Sequence, residues 1–512
     1  MYSNKDNVNI LTALLVKHGI GHVVVCPGSR NAPLVHNFTV CPDLECHTVT
    51  DERSAGFYAL GMCQALDEAV AVCVTSGSAL LNLVPAVAEA YYQHLPLVVV
   101  SADRPQEWIG QLDGQTLPQP DALGRFVRKA VSLPEPHNDE ERWYANRLVN
   151  EALMEGIGPV HINVPISEPL FDFSVTQLPD ERKITIDPLS VGDEVLDELS
   201  RRFMQARQPM LVVAQAYDYS TDEVMFAFGD DKRYVPDFVV YISKNGSVVS
   251  KRLKRFLRGA GEVWAVNETG EVNDTFMNLT RVVRCKTDKV EKMLKECQKR
   301  RPSALDPLYR RVEEKKRAFI PPFSQMAAVR LFEEERRSMP DSICHYANST
   351  AIRLANIYSE RYVYCNRGVN GIEGSMSTAA GFSLVTDKKV FCVIGDLSFF
   401  YDSNALWNSL LSGNFRIMLL NNGGGGIFRQ LPIGDGRSSA INSVMACHSA
   451  SAKGVCESYG IEYLSARNMD ELQARLPEMM NKDSLRPVLL EVFTDSVEDA
   501  KIYNEYYKSL KI

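Results

Sequence analysis

Short apolar runs alternate along the chain with longer segments whose apolar residues recur at helical spacing. Runs of about four to eight apolar residues are typical of buried β-strands, whereas the spacing i, i+3, i+4 and i+7 is typical of helices that pack on a sheet. Strands that alternate with helices from end to end indicate parallel α/β layers. We therefore predict an α/β fold with parallel sheets.

The predicted strands fall into three blocks that polar stretches separate. The first block contains HVVVCPG, AVAVCVTSG, PLVVVSAD and PVHINVPI, with a helix predicted from about Ser78 to Tyr92. The middle block contains MLVVA, DFVVYIS, EVWAVN and RVVRC, and the third contains YVYCN, VFCVIGD, RIMLLNN and PVLLEVFT. At about 100–200 residues per domain, the 512 residues suit three α/β domains, which we predict at 1–180, 181–320 and 321–512.

The composition is that of a soluble protein with a large core, since 45% of the residues are hydrophobic and 23% are charged. A net charge of −8 argues against nucleic acid as a partner. No apolar run reaches the roughly 18–20 residues of a membrane span, and the N-terminus lacks the pattern of a secretory signal. Several of the 12 cysteines lie inside predicted strands, which favours buried thiols in a reducing cytoplasm.

Polar side chains end two consecutive strands in the third block. Asp396 follows VFCVIG, and Asn421 and Asn422 end RIMLLNN, so that one helical crossover separates them. Because the carboxyl ends of parallel strands meet at one edge of a sheet, we expect these side chains to lie together. Carboxylate, amide and carbonyl oxygens suit Mg²⁺.

Two backbone features around these side chains indicate a bound anion such as a diphosphate. The glycines at 423–426 allow backbone to approach a ligand closely. A helix predicted to start near Ser403 would direct its N-terminal amides toward an anion. The alternative is structural, with Asp396 capping a helix and the Asn-Gly run forming a turn.

A second acidic candidate, Glu52, lies in DERSAGFYALG, where it follows a β-branched strand and opens a helix. We interpret Glu52 as a catalytic carboxylate. The alternative is that Glu52 interacts favourably with the dipole at the helix N-terminus.

Cationic residues recur just beyond predicted strand ends and near helix starts. They are Arg30, which follows Ser29, and Arg104, Lys251, Arg252, Arg353 and Arg367. Ser349 and Arg353 have the i, i+4 spacing of one helix face. Together the cations predict a pocket for several carboxylates, because guanidinium groups bind carboxylates through paired hydrogen bonds. The alternative is that each of these residues is an ordinary surface charge, and that SKRLKRFLR is a solvated helix face.

The sequence G-D-x-S followed by N-N-x-G resembles the diphosphate motif of the thiamine diphosphate-dependent enzymes. The resemblance implies that Asp396, Asn422 and Gly424 hold Mg²⁺ or Mn²⁺, and that Glu52 promotes the imino tautomer of the cofactor. Further cofactor contacts implied by the resemblance are Ser29, Gly395, Leu397, Ser398, Ile372, Ile427 and Phe428. Core packing of Ile372, Ile427 and Phe428 is the alternative. The resemblance also implies a homo-oligomer, a dimer or tetramer, with active sites at the subunit interface.

A more specific resemblance rests on CPGSRNAPL, DERSAGFYALG, TSGSALLN, GQTLPQ, SKRL, NRGVNGIEGSMSTAAG, GDLSFFYDSNAL and NNGGGGIF. These motifs are similar to those of the 2-succinyl-5-enolpyruvyl-6-hydroxy-3-cyclohexene-1-carboxylate synthases of menaquinone biosynthesis. The resemblance implies a pyrimidine-binding first domain, a central domain and a diphosphate-binding third domain. It implies decarboxylation of 2-oxoglutarate and 1,4-addition of the resulting carbanion to isochorismate, with release of CO₂. The substrate residues that it implies are Arg30, Arg104, Gln115, Lys251, Arg252, Ser349, Arg353 and Arg367.

Three other functions remain open from the sequence. A thiamine-dependent 2-oxo acid decarboxylase or acetolactate-type carboligase would share the cofactor residues without needing so many cations. A catalytically silent nucleotide- or thiamine-binding regulator would not need Glu52. A Rossmann dehydrogenase is disfavoured because no G-x-G-x-x-G opens a helix after the first strand.

Overall fold

Three parallel sheets form the framework of the protein. The computed structural model describes residues 1–154, 157–185, 192–213, 223–224, 226–227, 232–242, 250–300, 305–430 and 441–511. The three sheets have six, four and five strands among these residues. The sheets follow one another along the chain, in line with the α/β fold expected from the sequence.

The first sheet has the strand order β2-β1-β3-β4-β6-β5, and all its neighbouring strands are parallel. Its strands are β1 (His22–Val25), β2 (Glu45–Thr48), β3 (Val70–Val74), β4 (Leu97–Asp103), β5 (Lys129–Ser132) and β6 (Val160–Pro165). Its helices are α1 (Asp6–Lys17), α2 (Ala32–Val40), α3 (Glu52–Leu66), α4 (Ser78–Asn82), α5 (Val84–Gln93) and α6 (Asp139–Leu153). Strands β3 and β4 are buried along their whole length, as continuous apolar strands in the middle of a covered parallel sheet should be.

The middle sheet has the order β10-β9-β8-β7. Its strands are β7 (Pro209–Val213), β8 (Phe238–Ile242), β9 (Val263–Asn267) and β10 (Leu279–Arg284). Helices of this part of the chain are α7 (Asp193–Gln205), α8 (Lys251–Leu257), α9 (Thr287–Arg300) and α10 (Asp306–Ala318).

The third sheet has the order β11-β12-β13-β15-β14. Its strands are β11 (Ile343–Tyr346), β12 (Val390–Gly395), β13 (Phe415–Asn421), β14 (Glu462–Ala466) and β15 (Val488–Phe493). Its helices are α11 (Gln325–Arg336), α12 (Thr350–Tyr358), α13 (Ser375–Leu384), α14 (Asp396–Tyr401), α15 (Ile441–Met445), α16 (Lys453–Tyr459), α17 (Met469–Asn481) and α18 (Ser496–Leu510).

Two sequence predictions of local structure are wrong. YVYCN is not a strand, because Tyr364 makes only an isolated bridge with His345, on whose ring it stacks at 4.9 Å. The helix predicted from Ser78 to Tyr92 is two helices, and the second one, α5, begins at Val84 with Pro85 in its first turn, where the missing N–H of proline costs least.

Helices α3 and α13 pack so closely that they join the first and third sheets. A Cβ on Gly61 would lie 2.0 Å from the carbonyl oxygen of Thr378, and one on Gly381 would lie 2.2 Å from the carbonyl oxygen of Tyr58. Only glycine permits this backbone-to-backbone approach. The contact fixes the helix that Glu52 opens against the third sheet of the same chain.

Candidate active site

Asp396 lies at the carboxyl edge of the third sheet, directly after β12. The neighbouring strand β13 is in register with β12, with Gly395 opposite Leu420, so Asp396 and Asn421 leave the sheet side by side. The helix in this loop begins at Asp396 itself, as α14. The prediction that it starts near Ser403 is therefore wrong, and only a short 3₁₀ turn follows at 403–405.

The Asp396 carboxylate holds the two strand ends together through backbone amides. One oxygen accepts the N–H of Leu397 at 2.7 Å, and the other accepts the N–H groups of Asn422 at 3.1 Å and Gly424 at 3.0 Å. Asp396 is only 3% exposed. Burial raises the pKa of its carboxyl group above the usual value, while these amide hydrogen bonds oppose that shift.

The glycine loop after β13 leaves no room for side chains. Gly424 has φ +145°, and a Cβ at this position would lie 2.7 Å from the carbonyl oxygen of Met445. Asn421 shapes the loop from within, because its amide oxygen accepts the N–H of Gly423 at 3.1 Å and its amide nitrogen donates to Glu491 at 2.7 Å. Asn421 is therefore structural, and Asn422 remains as the ligand candidate.

Asp499, which the sequence analysis missed, orients the side chain of Asn422. The Asn422 amide nitrogen donates to Asp499 at 3.0 Å, which turns the amide oxygen away from that carboxylate. Asp499 is itself held by Thr494 at 2.7 Å and by the N–H of Gln325 at 2.9 Å. Asp499 lies 77 residues beyond Asn422 in the sequence, so no local sequence pattern indicated this contact.

The residues at this edge fit a divalent metal ion. Asp396 supplies a buried carboxylate, Asn422 an oriented amide oxygen, and Gly424 a carbonyl in a cradle that a Cβ would fill. His448, also missed from the sequence, has its Nε2 3.5 Å from Asp396, and that buried nitrogen has no hydrogen-bond partner among the residues that the structure describes. A cation here would compensate the desolvated carboxylate.

The start of α3 presents Glu52 beside the third sheet. Its flanking residues dock there, because Arg53 donates to the carbonyl of Tyr401 at 2.7 Å and Asp51 accepts from Asn404 at 2.6 Å. Asp51 also caps α3 by accepting the N–H of Ser54. The Glu52 carboxylate is half-buried, and within the described part of the chain it forms no hydrogen bond or ion pair.

The candidate cofactor contacts of the third sheet surround Asp396. The Ser398 hydroxyl donates to the carbonyl of Ile372, which ties α14 to the loop before α13. Ile427 lines a small cavity together with Asn422, and the ring of Phe428 lies over Gly425. Ile372 is 40% exposed, so the core-packing alternative does not describe it within this chain.

Asp402, which directly follows α14, fixes the start of α13 through hydrogen bonds to Ser377. Its carboxylate accepts both the N–H of Ser377 at 2.8 Å and the hydroxyl of the same residue at 2.7 Å. Burial raises the pKa of Asp402 to about 6. The sequence analysis did not identify this residue.

At the first sheet, Ser29 and Arg30 follow β1. Ser29 is exposed, whereas Arg30 is only 6% exposed and donates to the carbonyl of Ile166 at 3.0 Å and to Glu168 at 2.9 Å. Beside this loop lies a cavity of about 380 Å³. It is lined by Val25, Cys26, Gly28, Thr48 and Phe171, among others.

Arg104 and Gln115 belong to one loop after β4. The Arg104 guanidinium donates to the carbonyl of Gly114 at 3.2 Å and to Asp113 at 2.9 Å. Gln115 is exposed with φ +56°, and its backbone lies against Gly77 in the loop that follows β3. Arg30, Arg104 and Gln115 thus share the carboxyl edge of the first sheet.

Ser349, Arg353 and Arg367 lie at the edge of the third sheet near β11. Ser349 precedes α12 with φ +76°, so the prediction that Ser349 and Arg353 share a helix face is wrong. Arg353 is exposed. Arg367 is 7% exposed and donates to Asn348 at 2.8 Å, which anchors it beside Ser349.

Glu89 of α5 holds the loop that carries Arg367. Its two carboxylate oxygens accept the N–H groups of Gly368 and Val369, each at 2.7 Å. Glu89 is 2% exposed, and burial raises the pKa of its carboxyl group. The sequence analysis missed this contact between the first and third sheets.

Lys251 and Arg252 open α8 in the middle part of the chain. Ser250 caps this helix by accepting the N–H of Leu253 at 3.0 Å. Lys251 is exposed, as expected for a solvated helix face, whereas the Arg252 guanidinium lies 4.7 Å from the ring centre of Phe226. The Arg252 guanidinium also lies 5.8 Å from the ring centre of Tyr507 in α18, the helix that carries Asp499.

Among the described residues, no helix combines the length and apolar character needed to cross a membrane.

Comparison with known proteins agrees with this arrangement. Residues 6–123 match the family described as thiamine pyrophosphate enzyme, N-terminal TPP binding domain, and residues 346–492 match the corresponding C-terminal TPP binding domain. A thiamine diphosphate-dependent 4-hydroxybenzoylformate decarboxylase of Rhodococcus jostii RHA1 has the same fold, with a TM-score of 0.71 at 18% identity over 96% of this chain and 99% of that one.

Relatives with higher identity carry one shared name. A 2-succinyl-5-enolpyruvyl-6-hydroxy-3-cyclohexene-1-carboxylate synthase of Bacteroides thetaiotaomicron is 43% identical over the whole of both chains. The protein of that name from Phocaeicola vulgatus is 40% identical over 100% of this chain and 99% of its own. The chain therefore belongs to the thiamine diphosphate-dependent family of 2-succinyl-5-enolpyruvyl-6-hydroxy-3-cyclohexene-1-carboxylate synthases.

Proposed function

We propose that the protein decarboxylates 2-oxoglutarate and adds the resulting four-carbon unit to isochorismate. The product would be 2-succinyl-5-enolpyruvyl-6-hydroxy-3-cyclohexene-1-carboxylate, for menaquinone biosynthesis in the cytoplasm. The observation that carries the proposal is the edge formed by Asp396, Asn422 and Gly424, whose donor atoms suit a metal-bound diphosphate. Bound thiamine diphosphate supplies the nucleophilic carbon that makes decarboxylation and carbon–carbon bond formation possible.

Asp396, the Asn422 amide oxygen and the Gly424 carbonyl would hold Mg²⁺ or Mn²⁺ between them. Hard oxygen donors in this number leave positions on the ion for phosphate oxygens. Gly395, Leu397 and Ser398 would line the phosphate side of this edge, and Ile372, Ile427 and Phe428 would form the apolar wall beside it.

Glu52 would hold or transfer one proton at a ring nitrogen of the aminopyrimidine, with Ser29 beside the same ring. Its carboxylate is half-buried and has no partner within the described chain, so it is available to a ligand. A carboxyl group in this position acts as a general acid–base catalyst.

The cationic residues would bind the carboxylates of both substrates. Arg30, Arg104 and Gln115 lie at the first sheet, and Ser349, Arg353 and Arg367 lie at the third. Two dicarboxylate substrates need several guanidinium or ammonium partners. Lys251 and Arg252 would complete the pocket from the middle domain when loops close over the substrates.

We further propose a homo-oligomer, a dimer or tetramer, in which Glu52 of one chain and Asp396 of another serve one cofactor. The exposed Ile372 supports this arrangement, because an apolar side chain of a cofactor wall is then covered by ligand and partner. The domains would be a pyrimidine-binding domain at 1–180, a central domain at 181–320 and a diphosphate-binding domain at 321–512.

Product analysis tests the proposal. Purified protein with thiamine diphosphate, Mg²⁺ and 2-oxoglutarate is assayed with and without isochorismate, and the products are identified by mass spectrometry. We expect the adduct and CO₂ when isochorismate is present. If succinic semialdehyde is the sole product under both conditions, the protein is a decarboxylase; if 2-oxoglutarate is not consumed at all, the proposed reaction is wrong.

A further inference from the structure

Three side chains with metal-binding atoms meet on one face of the first sheet, at its amino edge. His22 begins β1 and lies opposite Glu45, which begins β2. His47 follows two residues later on β2 and therefore shares the face of Glu45. The two strands thus bring two imidazoles and one carboxylate together without any help from a loop.

The spacing of their donor atoms matches a small coordination sphere. His22 Nδ1 and His47 Nε2 are 3.1 Å apart. One carboxylate oxygen of Glu45 lies 3.8 Å from His22 Nδ1, and the other lies 3.8 Å from His47 Nε2. A tetrahedral Zn²⁺ with bonds of about 2.0–2.1 Å holds its ligand atoms about 3.3 Å apart. An ion therefore fits among these atoms after side-chain movements of a few tenths of an ångström.

The surroundings favour the ligand forms of these groups. The side chain of His47 is 6% exposed and that of His22 is 24% exposed. Burial lowers the pKa of His47, which keeps its imidazole neutral and able to coordinate a metal. The carboxylate of Glu45 is 65% exposed, so water can reach the remaining coordination positions.

We propose that His22, Glu45 and His47 bind a divalent ion of the zinc class, with water completing its coordination. Two imidazoles and a carboxylate are the ligands of open zinc sites, and nitrogen ligands disfavour Mg²⁺. The site is separate from the candidate active site, since His22 and Glu45 begin β1 and β2, whereas Ser29 and Glu52 follow the carboxyl ends of these strands. The ion would join the short edge strand β2 to β1.

The test measures ion binding to protein already loaded with thiamine diphosphate and excess Mg²⁺, so that the cofactor's metal site is filled. Co²⁺ is titrated while its visible absorption is recorded, and Zn²⁺ is titrated by calorimetry. Four proteins are compared: the parent, Glu45→Gln, His22→Gln and the control His137→Gln, which alters an exposed histidine elsewhere.

We expect one ion per chain in the parent and the control, with the strong absorption bands of a four- or five-coordinate Co²⁺. Glu45→Gln and His22→Gln should each weaken binding at least about tenfold, as loss of a metal ligand does. Glu45 is exposed, so its variant keeps the test decisive even if His22→Gln folds poorly. Equal affinity in all four proteins, or no ion beyond the cofactor's metal, would overturn the proposal.

Discussion

The carboxylate of Glu89 accepts the backbone N–H of Gly368 at 2.7 Å, and this bond joins two positions 279 residues apart. A Cβ on Gly368 would lie 2.8 Å from the carbonyl oxygen of Glu89, so helix and loop are also in direct contact. The loop carries Arg367, a candidate substrate residue. A buried acid of the first sheet therefore sets the position of a cation of the third.

Replacing Glu89 with Gln should weaken substrate binding. The amide can accept only one of the two N–H groups of Gly368 and Val369, and it turns its own N–H₂ toward the other, which costs about 1–3 kcal/mol for a buried unpaired group. We expect the KM of a dicarboxylate substrate to rise by about tenfold or more, while thiamine diphosphate affinity stays within about twofold. Steady-state kinetics beside the exposed control Glu68→Gln check this. Unchanged KM values would show that Glu89 does not position Arg367.

Asp402 should make the protein less stable as the pH rises from 4 toward 6. Burial raises its pKa from 3.8 to about 6, so between these values the folded chain binds more protons than the unfolded chain. The stability loss is complete above the folded pKa and amounts to up to about 3 kcal/mol.

The variant Asp402→Asn should remove this pH dependence, because its amide oxygen can accept the N–H of Ser377 and its N–H₂ can donate to the hydroxyl of the same residue. Urea unfolding between pH 4 and 7 measures the effect, with the exposed Asp387→Asn as control. A variant whose pH profile parallels that of the parent would contradict the assignment.

Gly424→Ala should weaken metal binding, because its Cβ would meet the carbonyl oxygen of Met445 and the φ of +145° is strained for alanine. We expect Mg²⁺ to support cofactor binding only at concentrations about 10–100-fold higher. Gly454→Ala is the control, since Gly454 lies in the first turn of α16 and its Cβ would meet nothing within 4 Å. Fluorescence titration of cofactor binding against Mg²⁺ compares the two, and equal midpoints would count against the glycine cradle.

Glu52→Gln should lower turnover by about 10²–10⁴-fold, the usual contribution of a general acid–base group. Cofactor affinity should change far less, because the amide keeps the size of the carboxyl group. Single-turnover product formation measures the loss, and Glu68→Gln again serves as the control. Turnover at the parent rate would remove Glu52 from the mechanism.

The strands that the sequence predicted most directly are those formed by continuous apolar runs. β3, β4 and β13 are buried on both faces, and their composition alone gives the parallel sheet. The β-branched strand predicted directly before Glu52 is displaced, because β2 is the polar segment ECHT at a sheet edge and ends at Thr48. Tyr362 and Tyr364 gave a false strand because they pack edge to face with each other instead of pairing along a ladder.

Some residues of the candidate site were predictable from the sequence and others were not. Asp396 and Asn422 were found because they end neighbouring strands, where the topology guarantees proximity. Asp499 and Glu89 were not, because they act through hydrogen bonds across long separations in sequence that no local pattern records. The feature that identifies both residues is a buried carboxylate, and burial is visible only in the folded structure.

Mixed oligomers test the central claim most directly, namely that Glu52 and Asp396 of different chains serve one cofactor. Neither Glu52→Gln nor Asp396→Ala should be active alone. The two variants are mixed in equal amounts, unfolded and refolded together. Half of the resulting dimers then contain one chain of each variant, and one of the two sites in each such dimer carries both native residues. We expect about one quarter of the parent activity in the assay with 2-oxoglutarate and isochorismate. A mixture as inactive as its components, with subunit exchange verified by tagged chains, would contradict the account.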